Sequence, residues 1–257
     1  MKRLAAYLAI LICCGAWPSA NLSGGIPAAA GGGSGILYGC YWTGTSDNTS
    51  SMDYDSGGTD LETESCGLPA QGDQVLVFVS VDNASAIGNI SCTDAANSAS
   101  FTDGSVVGNG TRSGEVAGYT GYYTMGSTAA TTFSCSWVNT QSADWTVVIV
   151  VLSDDYAEGL GSSWLASFGC PDPYSVDPLT SSGDSLVFAY GSLDQAGSKT
   201  VTDVPTNYTV LIDNLNNGST SFGLAHRTVN AAAEDPGVFT CSSNDGYLAK
   251  SWEWYVP

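Results

Sequence analysis

The densest run of hard oxygen donors in the chain is Asp53-Tyr54-Asp55-Ser56-Gly57-Gly58-Thr59-Asp60-Leu61-Glu62-Thr63-Glu64. Laid out as a twelve-residue calcium loop, it places Asp53 at position 1, Asp55 at 3, Gly58 at the turn glycine of 6, Asp60 at 8 and Glu64 at 12. Carboxylates on a loop that reverses sharply at glycine suit Ca2+. Asp53, Asp55, Asp60 and Glu64 are therefore the candidate metal ligands, and Ca2+ the one candidate cofactor. Gly57 stands where a side-chain oxygen is usual and charged Asp60 where an apolar residue is usual, so the competing reading is a solvated acidic loop.

Nucleophilic catalysis has a single histidine to draw on, His226, and every Ser-His-Asp or Cys-His arrangement would depend on it. It stands in an ordinary strand pattern beside Arg227, opposite Tyr122 in the internal alignment described below. No Gly-x-Ser-x-Gly elbow, phosphate-binding loop or His-x-x-x-His pair occurs in the sequence. Two facing carboxylates would make a glycosidase, and a chain with 25 acidic residues always offers some pair. The expectation is a protein that is not an enzyme, with no catalytic residue assigned and a secreted glycoside hydrolase as one alternative.

The other reactive or modifiable groups are cysteines and asparagines. Of the 8 cysteines, Cys13 and Cys14 fall in the leader, and the even number left reads as a disulfide framework of an exported chain. Cys170–Cys241 pairs within the second half. The first half takes either Cys92–Cys135 with Cys40–Cys66, or Cys66–Cys135 with Cys40–Cys92. Acceptor patterns for N-glycosylation stand at Asn21, Asn48, Asn83, Asn89, Asn109, Asn207 and Asn217, on expected turns and arms. Tyr119, Tyr122 and Tyr123 share one expected strand, and Trp42, Trp137, Trp164, Trp252 and Trp254 are spread through the chain. Such rings either fill a core or stack on sugars, which makes an extracellular carbohydrate-binding module the second alternative.

The segments that must position these groups begin after a leader. Met1-Lys2-Arg3, the apolar run to Ala16 and the small residues Pro18-Ser19-Ala20 make 1–20 a secretory signal, followed by a flexible Gly/Ala arm over 21–35. No later segment approaches the roughly 20 apolar residues of a spanning helix, so an exported protein without a membrane span is expected. The formal net charge of −19 repels phosphate backbones and anionic headgroups, which excludes nucleic acid as a partner.

The body of the chain says nearly the same thing twice. Gly72-Asp73-Gln74-Val75-Leu76-Val77-Phe78 returns as Gly183-Asp184-Ser185-Leu186-Val187-Phe188, and Phe133-Ser134-Cys135-Ser136 as Phe239-Thr240-Cys241-Ser242. Cys92-Thr93-Asp94 answers to Val201-Thr202-Asp203, and Asp144-Trp145 to Ser251-Trp252. Short β-branched or aromatic runs bounded by Gly, Asn, Asp and Ser fill both copies, Trp145 to Leu152 most clearly, and helical periodicity is nowhere sustained. The expectation is all-β, as two tandem antiparallel β-sandwich domains from an internal duplication. Domain 1 spans 36–153 with its acidic loop, and domain 2 spans 183–257. Between them lies a connector, 154–182, holding Pro171, Pro173 and Pro178, where residues 154–167 are the one stretch compatible with a short helix.

Over residues 70–257 the order is Gly-Asp, apolar strand, Thr-Asp, aromatic strand, Ala-rich turn, Phe-x-Cys strand and Trp-led last strand. It resembles the tandem Ig-like or jelly-roll-type β-sandwich units of phage structural proteins and of bacterial secreted surface proteins. The Ala-rich turns are Thr128-Ala129-Ala130 and Ala231-Ala232-Ala233. The resemblance implies a secreted, non-enzymatic structural or interaction protein, displayed on a surface or built into an appendage, filament or virion. Its partners would be other copies of itself or a cell-surface or glycan partner. The strand from Ile36 to Trp42 could add to a neighbour's open sheet edge and so build a homo-oligomer.

Overall fold

In a strand with one wet face, apolar and polar residues alternate; in several strands of this protein they do not. Along β4 (Gln74–Asp82) every residue from Val75 to Val79 is fully buried, and along β13 (Ser185–Asp194) every position is buried. Such a strand needs a layer on each side. The computed structural model describes residues 36–49, 51–53, 62–63, 69–82, 90–108, 116–126, 132–137, 143–161, 163, 165–180, 183–194, 200–216, 220–242 and 245–257.

The described residues form antiparallel strands and no helix. One large sheet has the order β3 (Glu62–Thr63), β1 (Ile36–Thr49), β10 (Ala143–Leu152), β4, β8 (Ala117–Thr124), β7 (Thr102–Gly108). The other runs β11 (Ala157–Gly161), β18 (Asp245–Tyr255), β13, β16 (Thr220–Val229), β15 (Thr209–Asn216), with β12 (Leu165–Gly169) also on β18. A small sheet of β2 (Ser51–Asp53), β9 (Phe133–Trp137), β5 (Ile90–Asp94) and β6 (Ala99–Ser100) accompanies the first. A pair, β14 (Val201–Asp203) with β17 (Thr240–Cys241), accompanies the second. The strand orders β10-β4-β8-β7 and β18-β13-β16-β15 correspond position by position.

Side-chain parity decides which layer covers which face. Val75, Val77 and Val79 join Ile90, Cys92, Phe133 and Cys135 in a core between the first large sheet and its small sheet. Val187, Ala189 and Leu193 join Val201 and Phe239 on the far side of the second. The intervening residues Leu76 and Phe78 meet Leu186, Phe188, Tyr190, Trp252 and Trp254 in a third core that joins the two large sheets to each other. The layers thus stack as small, large, large, small.

That middle core is dense in rings. Phe78 lies 5.6 Å from Phe188 and 5.8 Å from Trp252, Tyr122 lies 5.1 Å from Trp254, and Tyr190 lies 4.9 Å from Phe222. Each such pair adds about 0.5–1.5 kcal/mol beyond burial. Polar groups in the layer bond across it: the Ser80 and Ser192 hydroxyls to each other, Tyr190 Oη to the Val79 carbonyl at 3.0 Å, and Lys250 Nζ to Thr120 Oγ1 at 2.9 Å.

One segment lies differently from the sequence expectation. The stretch compatible with a helix carries β11 and β12 instead, both paired along β18, so the Pro-containing segment is woven into the second large sheet. Its prolines serve packing: Pro171 and Pro173 are buried, and the Pro171 carbonyl accepts the Phe239 N–H at 2.7 Å. The strand expected to add to a neighbour's sheet edge, Ile36 to Trp42, lies in β1, which pairs with β10 and, at Trp42 and Thr43, with β3. The edges β7 and β15 carry register irregularities, a device that discourages edge-to-edge pairing.

Candidate functional site

The site starts from a strand that alternates Trp-Glu-Trp. In β18, Trp252 and Trp254 turn into the middle core, so Glu253 points to the opposite face, across from Val187. There it is fully buried. A carboxylate can be held in such a place only by donors. Glu253 Oε2 accepts the Leu160 N–H at 3.0 Å, both oxygens accept the Thr180 N–H at 3.0 and 2.9 Å, and Oε1 accepts the Ser185 hydroxyl at 2.7 Å. Burial pushes the carboxyl up, but these hydrogen bonds together outweigh it, and the group titrates below its ordinary value of 4.5.

The Leu160 N–H is free to bond Glu253 because β11 is bulged. Glu158 pairs with Trp254 and Gly161 with Trp252, so three steps on β11 match two on β18. A bulge re-aims the side chains it carries. Gly159 must lack a side chain, since a Cβ there would sit 2.4 Å from Glu253 Oε2. The outcome is that Leu160 projects into solvent, 43% exposed.

Leu160 forms one wall of a surface groove of about 370 Å³, with Gly161 and Ser163 beside it. The facing wall is Tyr174 to Asp177, whose Tyr174 side chain is 51% exposed. This wall too is fixed from behind. The Ser251 hydroxyl donates to the Tyr174 carbonyl, and Val176 exchanges backbone hydrogen bonds with Glu234 at 2.8 and 3.0 Å. Thr180, just past it, is held by Glu253. The groove therefore presents a ring, an isobutyl group, two hydroxyls and the Asp177 carboxylate on backbone pinned by buried groups. It can adsorb a ligand.

The sequence candidates lie elsewhere. Asp53 is in β2, its backbone paired with Ser134, while Asp55, Asp60 and Glu64 lie outside the described residues. Among the described residues no group of three His, Cys, Asp or Glu could hold a metal ion. Cys92 and Cys135 face each other across β5 and β9 and are joined, as are Cys170 and Cys241; Cys40 lies in β1 and Cys66 outside the described residues. Asn207 is exposed in a turn with φ 72°, and Asn48 is in β1. Asn21, Asn83, Asn89, Asn109 and Asn217 are outside the described residues.

His226 is buried in β16 and opposite Phe188; on the duplication expected from the sequence, the register would match it to Thr120, opposite Phe78, and not to Tyr122. Burial pushes its pKa down to about 4, which keeps the ring neutral at ordinary pH. Five of the eight rings weighed as sugar platforms lie in cores. Tyr119 and Tyr123 are buried, Tyr122, Trp252 and Trp254 belong to the middle core, Trp42 and Trp137 lie in β1 and β9, and Trp164 is outside the described residues. Sequence reasoning missed Leu160, Tyr174 and Glu253. The available signal was Tyr174 alone among prolines, in Asp172-Pro173-Tyr174-Ser175-Val176-Asp177-Pro178, a setting where no strand could hide it.

No helix of the described residues is long and apolar enough to cross a membrane. No protein-family model, curated protein or solved structure matches the chain.

Proposed function

We propose that this chain is an exported, non-catalytic structural or interaction protein, made of two copies of one antiparallel β-sandwich unit fused into a single stiff body for display on a surface or incorporation into an appendage. The observation that carries the reading is the middle core. Independent beads on a string would keep their outer sheet faces polar, whereas Leu76, Phe78, Val148 and Val150 pack on Leu186, Phe188, Trp252 and Trp254. Burying such side chains contributes roughly 1.5–3 kcal/mol each, far more than a flexible junction would need. The matching strand orders and the repeated Leu-Val-Phe of residues 76–78 and 186–188 support the duplication. Disulfides suit an oxidising compartment, and the high negative charge suits solubility there.

Calorimetry of the full chain is the test. One cooperative transition is expected. Phe78→Ala should destabilise it by about 3–5 kcal/mol and speed amide exchange in β13 and β16, which belong to the other unit. Two separate transitions, or faster exchange confined to the first unit, would refute the fused body. Immunolabelling of intact source cells that finds no surface signal would refute the display.

A further inference from the structure

We propose that the groove between Leu160 and Tyr174 is a binding site for a neutral saccharide, a property that goes beyond the scaffold role and does not depend on it.

The first argument is exposure. Leu160 and Tyr174 are two of the few large apolar side chains left in solvent among the described residues, and they face one groove. Single exposed apolar residues mean little; two converging on one concavity mark a contact surface. The second is the pairing of surfaces. A pyranose offers an apolar C–H face for a ring to cover and hydroxyls around its edge. Here Tyr174 and Leu160 supply the apolar contact, while Asp177, Ser163 and Ser175, also in the lining, bring a carboxylate and two hydroxyls for hydrogen bonding.

The third argument is size and charge. At about 370 Å³ the groove lies near the lower end of small-ligand sites, which run from about 300 to 1,000 Å³, and suits one or two sugar rings. Its described lining carries a carboxylate and no cationic side chain, on a chain of net charge −19, so phosphate, sulfate and uronate ligands are repelled. The fourth is rigidity. Glu253 holds Leu160 and Thr180, Ser251 holds Tyr174, and Glu234 holds Val176, so little backbone freedom is lost on binding.

The experiment is an array of neutral and anionic glycans probed with the full chain, with hits titrated by calorimetry. Neutral glycans should bind. Tyr174→Ala should weaken binding at least about fivefold, and Asp177→Asn should weaken it several-fold. Tyr174→Phe should keep most of the affinity, since the ring face makes the contact. The Tyr174 variants should melt as the wild type does, because the side chain is half in water. A dark array, binding limited to anionic glycans, equal affinity of Tyr174→Ala and wild type, or capture only of apolar peptides would each overturn the assignment.

Discussion

Replacing Glu253 by glutamine keeps the shape of the side chain and removes half of its accepting capacity. The carboxylate accepts from Leu160 N–H, Thr180 N–H and Ser185 Oγ, all within 3.0 Å. A glutamine has one oxygen to offer, and its NH2 must face at least one of these donors. A buried donor left without an acceptor costs about 1–3 kcal/mol, and each remaining bond loses about 1 kcal/mol when its acceptor is no longer charged. The expected loss near neutral pH is about 3–5 kcal/mol, a large part of a domain's stability of roughly 5–15 kcal/mol. The pH dependence carries a sign. Because the folded carboxyl titrates below its ordinary 4.5, its contribution is fully present above that value and is lost as pH falls through the lower folded value. Urea unfolding of wild type and Glu253→Gln at about pH 7 and about pH 3 should therefore show a wide gap that narrows in acid. Equal midpoints at neutral pH, or a gap that stays constant into acid, would refute the assignment of Glu253 as an ionised anchor.

Two further outcomes follow from the buried groups of the outer layers. Asp94 accepts from Ala96 N–H, Asn97 Nδ2, Tyr123 Oη and Thr132 N–H at 2.6–3.1 Å, so Asp94→Asn should cost about 2–4 kcal/mol in urea unfolding and leave glycan binding unchanged. Cys92 and Cys135 are both buried whereas Cys170 and Cys241 are partly exposed, so mild reductant with alkylation and mass mapping should open Cys170–Cys241 first. With sequence separations of 43 and 71, removing either bridge should cost about 4 kcal/mol.

The all-β character was legible because its signal is local. Val147 to Val151 and Val75 to Val79 are uncharged runs of β-formers too short for ordinary helices, and they became β10 and β4. That both faces of β4 are apolar was legible too, but periodicity does not say which layer covers the second face. Only the fold brings Phe78 against Phe188 and Trp252. Glu253 was illegible for the same reason. A Trp-Glu-Trp alternation reads as a charge facing water, and its donors Leu160 and Thr180 lie 93 and 73 residues away. The prolines of 171–178 pointed to a linker, yet two of them pack inward and the segment ends as a wall of the groove.

The registers explain how the groove is built around Glu253. Val77 pairs with Ile149 across β4 and β10, and Val187, at the matching place in Leu-Val-Phe, pairs with Glu253 across β13 and β18. On the proposed duplication, this register sets Trp252 against Val148 in place of the sequence match to Trp145, and the buried Ile149 of the first unit is replaced by the buried carboxylate of Glu253 in the second. An isoleucine there asks nothing of the neighbouring strand, and β1, 14 residues long, stays paired with β10 across two register shifts. A carboxylate demands N–H donors, and the strand beside β18 supplies them by bulging at Gly159 and breaking into β11 and β12, while Thr180 is drawn in from the other side. The break and the inward-drawn segment are the two walls that carry Leu160 and Tyr174. On that reading, one apolar-to-acidic difference at a single register position goes with the bulge, the break and the groove beside β18.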